Sequence, residues 1–183
     1  MKNKLPKLKV KKTNLRGSGV FANEHIKKGS VIEIAKGEVI TFDECIERIR
    51  SGNESQDDAL QVGFEIDMEL EGVSYFFNHS CNPNAGVRKI SEFIAIKNIE
   101  KGDEITFDYS ATIGPTVSSS VWTMTCLCGD KKCRKIVSNV LSIPESQLKL
   151  YRRSDALQDY MKRELEIIKI NGGVPPKYKK IKI

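Results

Sequence analysis

A chain of 183 residues, 39% apolar and 30% charged, fits one domain around a single buried core. It has no apolar run near the roughly 18 residues of a membrane span, and no apolar block follows its lysine-rich start as in a secretory signal. The formal charge of +6 sits at the ends: residues 1–12 carry six lysines and residues 177–183 carry four, with no acid in either, so the remainder stands at 6 − 10 = −4. Such ends read first as solvated arms and second as a weak, sequence-independent contact for nucleic-acid phosphates. Five cysteines exclude a fully paired disulfide framework, and three of them within eight residues point to a metal in a reducing compartment. The expected location is the cytoplasm, or the nucleus if the source has one.

Leu8 and Val10 alternate with lysines as in a half-buried strand. Asn14 to Gly19 is a turn, and Val20-Phe21-Ala22 resumes an apolar strand. Strands are predicted at Val31–Ile34 and Glu38–Ile40. Thr41 and Glu44 form a capping box for a helix that carries Phe42, Cys45, Ile46 and Ile49 on one face and stops at Ser51-Gly52-Asn53. Val62 to Leu70 alternates and suits one or two short strands. Phe93–Ile96 is a buried strand, and Glu104–Tyr109 another after the turn at Glu100–Asp103. Ser110 to Thr125 is a polar loop. Ser142 and Glu145 make a second capping box around Pro144, and Leu157, Tyr160, Met161, Leu165 and Ile168 form a helical stripe stopped by Gly172-Gly173. The stripe is a packing surface for either the domain or a partner. Many short strands with few helices give a mainly β (β+α) class of small antiparallel sheets.

Four pieces stand out in this order: Arg16-Gly17-Ser18-Gly19-Val20-Phe21-Ala22, then Phe76-Phe77-Asn78-His79-Ser80-Cys81-Asn82-Pro83-Asn84, then Glu104-Ile105-Thr106-Phe107-Asp108-Tyr109, then Cys126-Leu127-Cys128 with Cys133. Together they resemble the SET-domain family of S-adenosylmethionine-dependent protein-lysine methyltransferases, over roughly Leu8 to Val137. The resemblance implies a SET domain over residues 1–110 with a pseudoknot, in which the Asn78-His79 segment threads beneath the strand ending at Tyr109. It implies a post-SET loop and zinc-binding segment over 111–137, followed by a C-terminal helical extension with a basic tail over 138–183.

The implied function is methyl transfer from S-adenosylmethionine, with S-adenosylhomocysteine as product, to lysine side chains of a histone or non-histone protein. No membrane is involved. A catalytically silent module that binds cofactor or protein partners is the alternative. Glycines let backbone approach a ligand closely, and the family carries cofactor contacts to Gly17, Ser18 and Gly19. Asn78 and His79 each offer a donor and an acceptor and take cofactor contacts by the same resemblance. Tyr109 is assigned to catalysis and to the cofactor, because a phenol hydroxyl can orient the target amine and polarise the methyl. Phe107 stands where the family has either Phe or Tyr and bears on product number. Cys126, Cys128 and Cys133 supply three thiolates for one zinc ion, and the resemblance supplies Cys81 as the fourth. Trp122 is placed either in the lysine channel or in ordinary packing. The family often has a tyrosine after the glutamate of the third strand. Here Glu33-Ile34-Ala35-Lys36-Gly37-Glu38 lacks it, so Ile34 or Ala35 is expected beside the channel.

Overall fold

In the computed structural model, residues 4–13, 17–52 and 59–175 are described. Asn14, Leu15 and Arg16 of the first motif, Asn53 of the predicted helix stop, and the basic tail beyond residue 175 lie outside them. In chain order the elements are β1 (Leu8–Lys12), β2 (Ser18–Ala22), β3 (Val31–Ile34), β4 (Val39–Thr41), α1 (Phe42–Arg50), β5 (Ala59–Gly63), β6 (Ile66–Glu69) and β7 (Asn78–His79). Then follow β8 (Ala85–Arg88), β9 (Glu92–Ala95), β10 (Glu104–Phe107), β11 (Met124–Thr125), β12 (Ile136–Val137), α2 (Glu145–Arg153) and α3 (Asp159–Ile170).

The strands form small sheets in the orders β1-β2-β10-β7, β3-β9-β8, β4-β6-β5 and β11-β12. All pairings are antiparallel except β10 with β7, where Thr106 faces Asn78 and Phe107 faces His79. Side-chain alternation sends Val20 and Ile105 inward, where they meet Ile32, Phe77, Phe93 and Phe107 in the main core.

The parallel contact with β10 is held by more than β7. The Ser80 amide donates to the Phe107 carbonyl at 2.9 Å. Asn84 then acts like a short piece of strand: its Oδ1 accepts from the Thr106 amide at 2.9 Å and its Nδ2 donates to the Glu104 carbonyl at 2.8 Å. The expected apposition of the Asn-His segment with the last large strand therefore has a local cause in Asn84.

Helix α1 starts as predicted, with Thr41 Oγ1 accepting from the Glu44 amide at 3.2 Å. The box is not closed by the Glu44 carboxylate, which pairs with Arg48 one turn on. Asp43 and Glu44 at its start and Arg48 and Arg50 at its end match the helix dipole. Cys45 is buried, as its position on the apolar face implies. The second box does not form. Pro144 is the N-cap of α2 without a side-chain bond, because Ser142 is drawn into the preceding turn, where its Oγ donates to the Asn139 carbonyl at 2.8 Å.

The C-terminal stripe covers the domain itself. Tyr151, Leu157, Met161 and Leu165 pack on Ile94 and Ile96 of the β9 region in a second core. Full burial of each such side chain contributes about 1.5–3 kcal/mol. Gly86 on β8 permits this approach, since a Cβ there would stand 2.6 Å from Ala156 Cβ. Among the described residues, no helix is long and apolar enough to cross a membrane.

Candidate active site and metal centre

Strand β10 ends at Phe107, two residues before the predicted end, and Tyr109 opens a 3-10 turn through Ala111. Asp108 causes the change: its side chain accepts from the Ser110 amide at 3.1 Å and caps the turn. Asp108 itself is extended (φ −90°, ψ 109°), and the Phe107 and Tyr109 rings lie 4.8 Å apart. The Asp108 side chain is buried, where it pairs with Arg134 and accepts from the Tyr151 hydroxyl at 3.0 Å. Burial pushes its carboxyl up, and the Arg134 guanidinium opposes that.

Asn78 and His79 sit beside this turn because β7 pairs with β10. Asn78 Nδ2 donates to the Ser18 carbonyl at 3.0 Å and to Glu104 Oε1 at 2.7 Å. Glycine at position 19 leaves this pair undisturbed: a Cβ would stand 2.8 Å from Asn78 Nδ2 and 2.5 Å from Glu104 Oε1 and would shift them. His79 Nδ1 accepts from the Tyr109 amide at 3.2 Å, and its Nε2 lies 3.3 Å from Cys81 Sγ. The Tyr109 hydroxyl donates to the Phe77 carbonyl at 2.9 Å.

Two cavities border this cluster. A cleft of about 300 Å³ is lined by Asn78, His79 and Tyr109 on one wall and by Met124 to Cys128 on the other. A narrow apolar channel of about 20 Å³ is lined by Phe77, Phe107, Tyr109, Ile113, Trp122 and their neighbours. Among the described residues, Tyr109 is the one in both linings. Gly17, Ser18 and Gly19 are not in the cleft lining. Ser18 and Gly19 reach it through Asn78, while Gly17 turns the chain with φ 71° in open space. Trp122 takes the channel position. Neither Ile34 nor Ala35 does: Ile34 is 48% exposed beside another groove, and Ala35 is buried against Ser91. The chain after β3, Ala35-Lys36-Gly37-Glu38, contributes no residue to this lining. Leu70, Tyr75 and Ala59 belong to it instead.

Cys81, Cys126, Cys128 and Cys133 converge, with all four Sγ atoms within 4.8 Å of one another. Cys81 and Cys126 are 3.7 Å apart, close to the roughly 3.8 Å edge of a tetrahedron with 2.3 Å metal–sulfur bonds. Backbone amides of Arg134 and Cys128 point at Cys81 and Cys126 at 3.4 Å each. Four soft donors in this geometry could hold one metal ion. Burial pushes the Cys126 thiol up. Burial also acts to raise Cys128, but amides from the Cys81 and Asp130 backbone help bring it down to about 7. The glycine at 129, with φ 73°, makes the tight loop between ligands.

Residues outside the sequence motifs complete the site. Gln147 Nε2 donates to the Cys81 carbonyl at 2.9 Å, and Gln147 and Tyr151, one turn apart on α2, both address Asp108. Their spacing of four gave a signal only for a helix face. Asp108 was legible as part of the motif, but its partners come from 26 and more residues away.

The β7 segment and its parallel pairing with β10 lie inside a stretch that matches a known family. The SET domain family model matches residues 17–110, about half of the chain, and the chain belongs to that family. It is 33% identical to a histone-lysine N-methyltransferase, H3 lysine-9 specific, of Fusarium mangiferae, over 71% of this chain and 48% of that protein. It is also 33% identical to a histone-lysine N-methyltransferase, H3 lysine-36 specific, of Debaryomyces hansenii, over 88% of this chain and 23% of that protein. The chain thus spans about half or less of these curated relatives. Among solved structures, Arabidopsis thaliana SUVH6 in complex with SAM superposes with a TM-score of 0.61 at 23% identity, covering 73% of this chain and 33% of that one. The fold is therefore the SET fold.

Proposed function

We propose that this chain is a protein-lysine N-methyltransferase that uses S-adenosylmethionine. The observation that carries the reading is that, among the described residues, Tyr109 alone lines both the cleft and the channel. Two reactants that enter from separate cavities would meet at its ring. The names of the relatives, histone-lysine N-methyltransferases, support the reaction class. The cleft volume lies at the lower end of the roughly 300–1,000 Å³ typical of small-molecule sites. Its mixed wall, with Asn78 and His79 facing Met124 and Leu127, suits a ligand with a polar end and a thioether-like middle.

The cofactor supplies an electrophilic methyl on a sulfonium. Everything else falls to the chain. Lysine has a pKa of roughly 10.4, so the target amine arrives protonated. The apolar channel strips water from it and favours the neutral form. Tyr109 aligns the lone pair, and such alignment can lower a barrier by about 7–11 kcal/mol. Asn78, fixed by Ser18 and Glu104, and His79, fixed by Tyr109, hold the cofactor, with Gly17, Ser18 and Gly19 shaping the backbone behind Asn78. The metal at Cys81, Cys126, Cys128 and Cys133 is one zinc ion, as four thiolates prefer. It ties the Met124–Cys128 wall of the cleft to the β7 segment.

The functional division follows: residues 1–110 as SET domain, 111–137 as post-SET segment and 138–183 as C-terminal extension. The substrate is a protein, histone or not. The basic ends give nucleic acid a weak contact. The site of action is the cytoplasm, or the nucleus where there is one. Incubation with labelled S-adenosylmethionine and whole-cell lysate tests the reading. A labelled protein whose label is lost with Tyr109→Phe supports it. Cofactor binding with no label in any protein would leave the silent module.

A further inference from the structure

Behind the narrow channel runs a circuit of buried hydrogen bonds that the reaction described above does not use. Tyr160, in the first turn of α3, donates from its hydroxyl to the Thr112 carbonyl at 2.6 Å. Thr112 in turn donates to the Tyr109 carbonyl from its amide and its Oγ1, both at 3.0 Å. Two residues further on, the Gly114 amide donates to Gln61 Oε1 at 2.6 Å. The Gln61 carbonyl accepts from Gln158 Nε2 at 2.9 Å, and the same Nε2 donates to the Ile90 carbonyl at 2.5 Å. Gln158 is the N-cap of α3, so the circuit returns to the helix where it began. Gln61, Thr112, Gln158 and Tyr160 are all buried.

The circuit joins two stretches of the chain that line the channel. Thr112 and Ile113 belong to one, and Ala59, two residues before Gln61 on β5, belongs to the other. A channel of about 20 Å³ holds little more than one water-sized group. Each methyl added to the amine must then be accommodated by movement of a wall. The wall at Thr112 is held from Tyr109 on one side and from α3 on the other, so its freedom is set by the helix.

The geometry points to the start of α3 as the specificity-determining element of the channel. Tyr160 and Gln158 are positioning residues that hold the Thr112–Ile113 wall against β5 and thereby set how readily a methylated amine is accepted for the next transfer. The inference rests on the methyl-transfer reading and goes beyond it by assigning product number to the C-terminal extension.

Tyr160→Phe keeps the ring and removes the donor. Gly114→Ala removes no bond but puts a methyl 3.1 Å from Gln61 Oε1, so that the Gln61 side chain must give by a few tenths of an ångström. Leu165→Ala thins the packing of α3 outside the circuit and serves as the stability control. Single-turnover mass spectrometry on the lysine peptide labelled in the lysate experiment gives the ratio of second- to first-transfer rates. In Tyr160→Phe that ratio rises by about threefold or more. Gly114→Ala moves it in the same direction, and calorimetry finds cofactor Kd unchanged within about twofold in both. Leu165→Ala lowers Tm and leaves the ratio alone. An unchanged ratio in the folded circuit variants, or the same rise in Leu165→Ala, overturns the inference. If Tyr160→Phe does not fold, Gly114→Ala decides alone. A wild type that transfers no methyl overturns the underlying reading instead.

Discussion

The main-chain amide of Tyr109 donates to Nδ1 of His79 at 3.2 Å. With Nδ1 as acceptor, a neutral His79 carries its proton on Nε2, which faces Cys81 Sγ at 3.3 Å. One imidazole therefore touches the cleft, the backbone of Tyr109 and a sulfur of the four-cysteine cluster. Loss of the Cys81 sulfur would be felt in the cleft through His79, although Cys81 is not part of the cleft lining.

Asn78 has the clearest binding test. Its amide is already oriented by Ser18 and Glu104, so it meets a ligand without paying much ordering entropy. Asn78→Ala should weaken S-adenosylmethionine binding by about tenfold or more. Calorimetry on the folded variant measures this, and an affinity equal to wild type would remove Asn78 from the site.

The metal cluster predicts equality between distant residues. Cys81 lies 45 residues before Cys126, yet their sulfurs are 3.7 Å apart. Cys81→Ser should therefore lower bound zinc as far as Cys128→Ser does, from one ion per chain. Elemental analysis decides it. Full zinc in folded Cys81→Ser would show that the three clustered cysteines find their fourth ligand elsewhere.

How far the sequence spoke depends on the range of the interaction. Strand alternation at Val20 and Ile105 and the Thr41 cap were readable because their causes lie within a few residues. The cysteine set and the Asn78-His79 pair were readable as motifs, although their convergence depends on the resemblance. What escaped was long-range and polar. Nothing near Ser142 announced that Asn139 would take its hydroxyl in place of a helix cap, and Ile34 was placed at the channel by motif position when the chain had turned away. Asn84 ended a quoted motif without a role, and the structure gives it one as a mimic of strand backbone. The circuit of Gln61, Thr112, Gln158 and Tyr160 has no periodic signal at all.

Asp67 gives the fold a pH dependence of known sign. Burial raises its carboxyl from 3.8 to about 7, and its Oδ2 has no hydrogen-bond partner among the described residues. Between about pH 4 and 7 the native state keeps a proton that the unfolded chain has lost, so stability falls as pH rises through that window and levels off above it. Asp67→Asn should remove this fall, a gain of about 3–5 kcal/mol at pH 8 and little at pH 4. Urea unfolding at both pH values measures it. An equal difference between variant and wild type at pH 4 and pH 8 would show that Asp67 is charged in the fold throughout.

Product number joins the channel to the chemistry most directly. Each methyl enlarges the amine and removes a hydrogen-bond donor. Before every transfer the amine must shed its proton and turn its lone pair toward the sulfonium. An ordered water beside the amine keeps it oriented but fills the space of the next methyl. Phe107 is buried in the channel wall, 4.8 Å from the Tyr109 ring, and has no hydroxyl to anchor such a water. On the proposed methyl-transfer reading, the chain should therefore go beyond one methyl. Phe107→Tyr should stop it largely at monomethyl-lysine while sparing the first transfer. Tyr109→Phe should slow every transfer, because it removes the hydroxyl that now donates to the Phe77 carbonyl at the meeting point of the two cavities. A time course by mass spectrometry with cofactor in excess separates these outcomes. A wild type that stalls at one methyl would remove Phe107 from control of product number, as would a Phe107→Tyr variant with unchanged products.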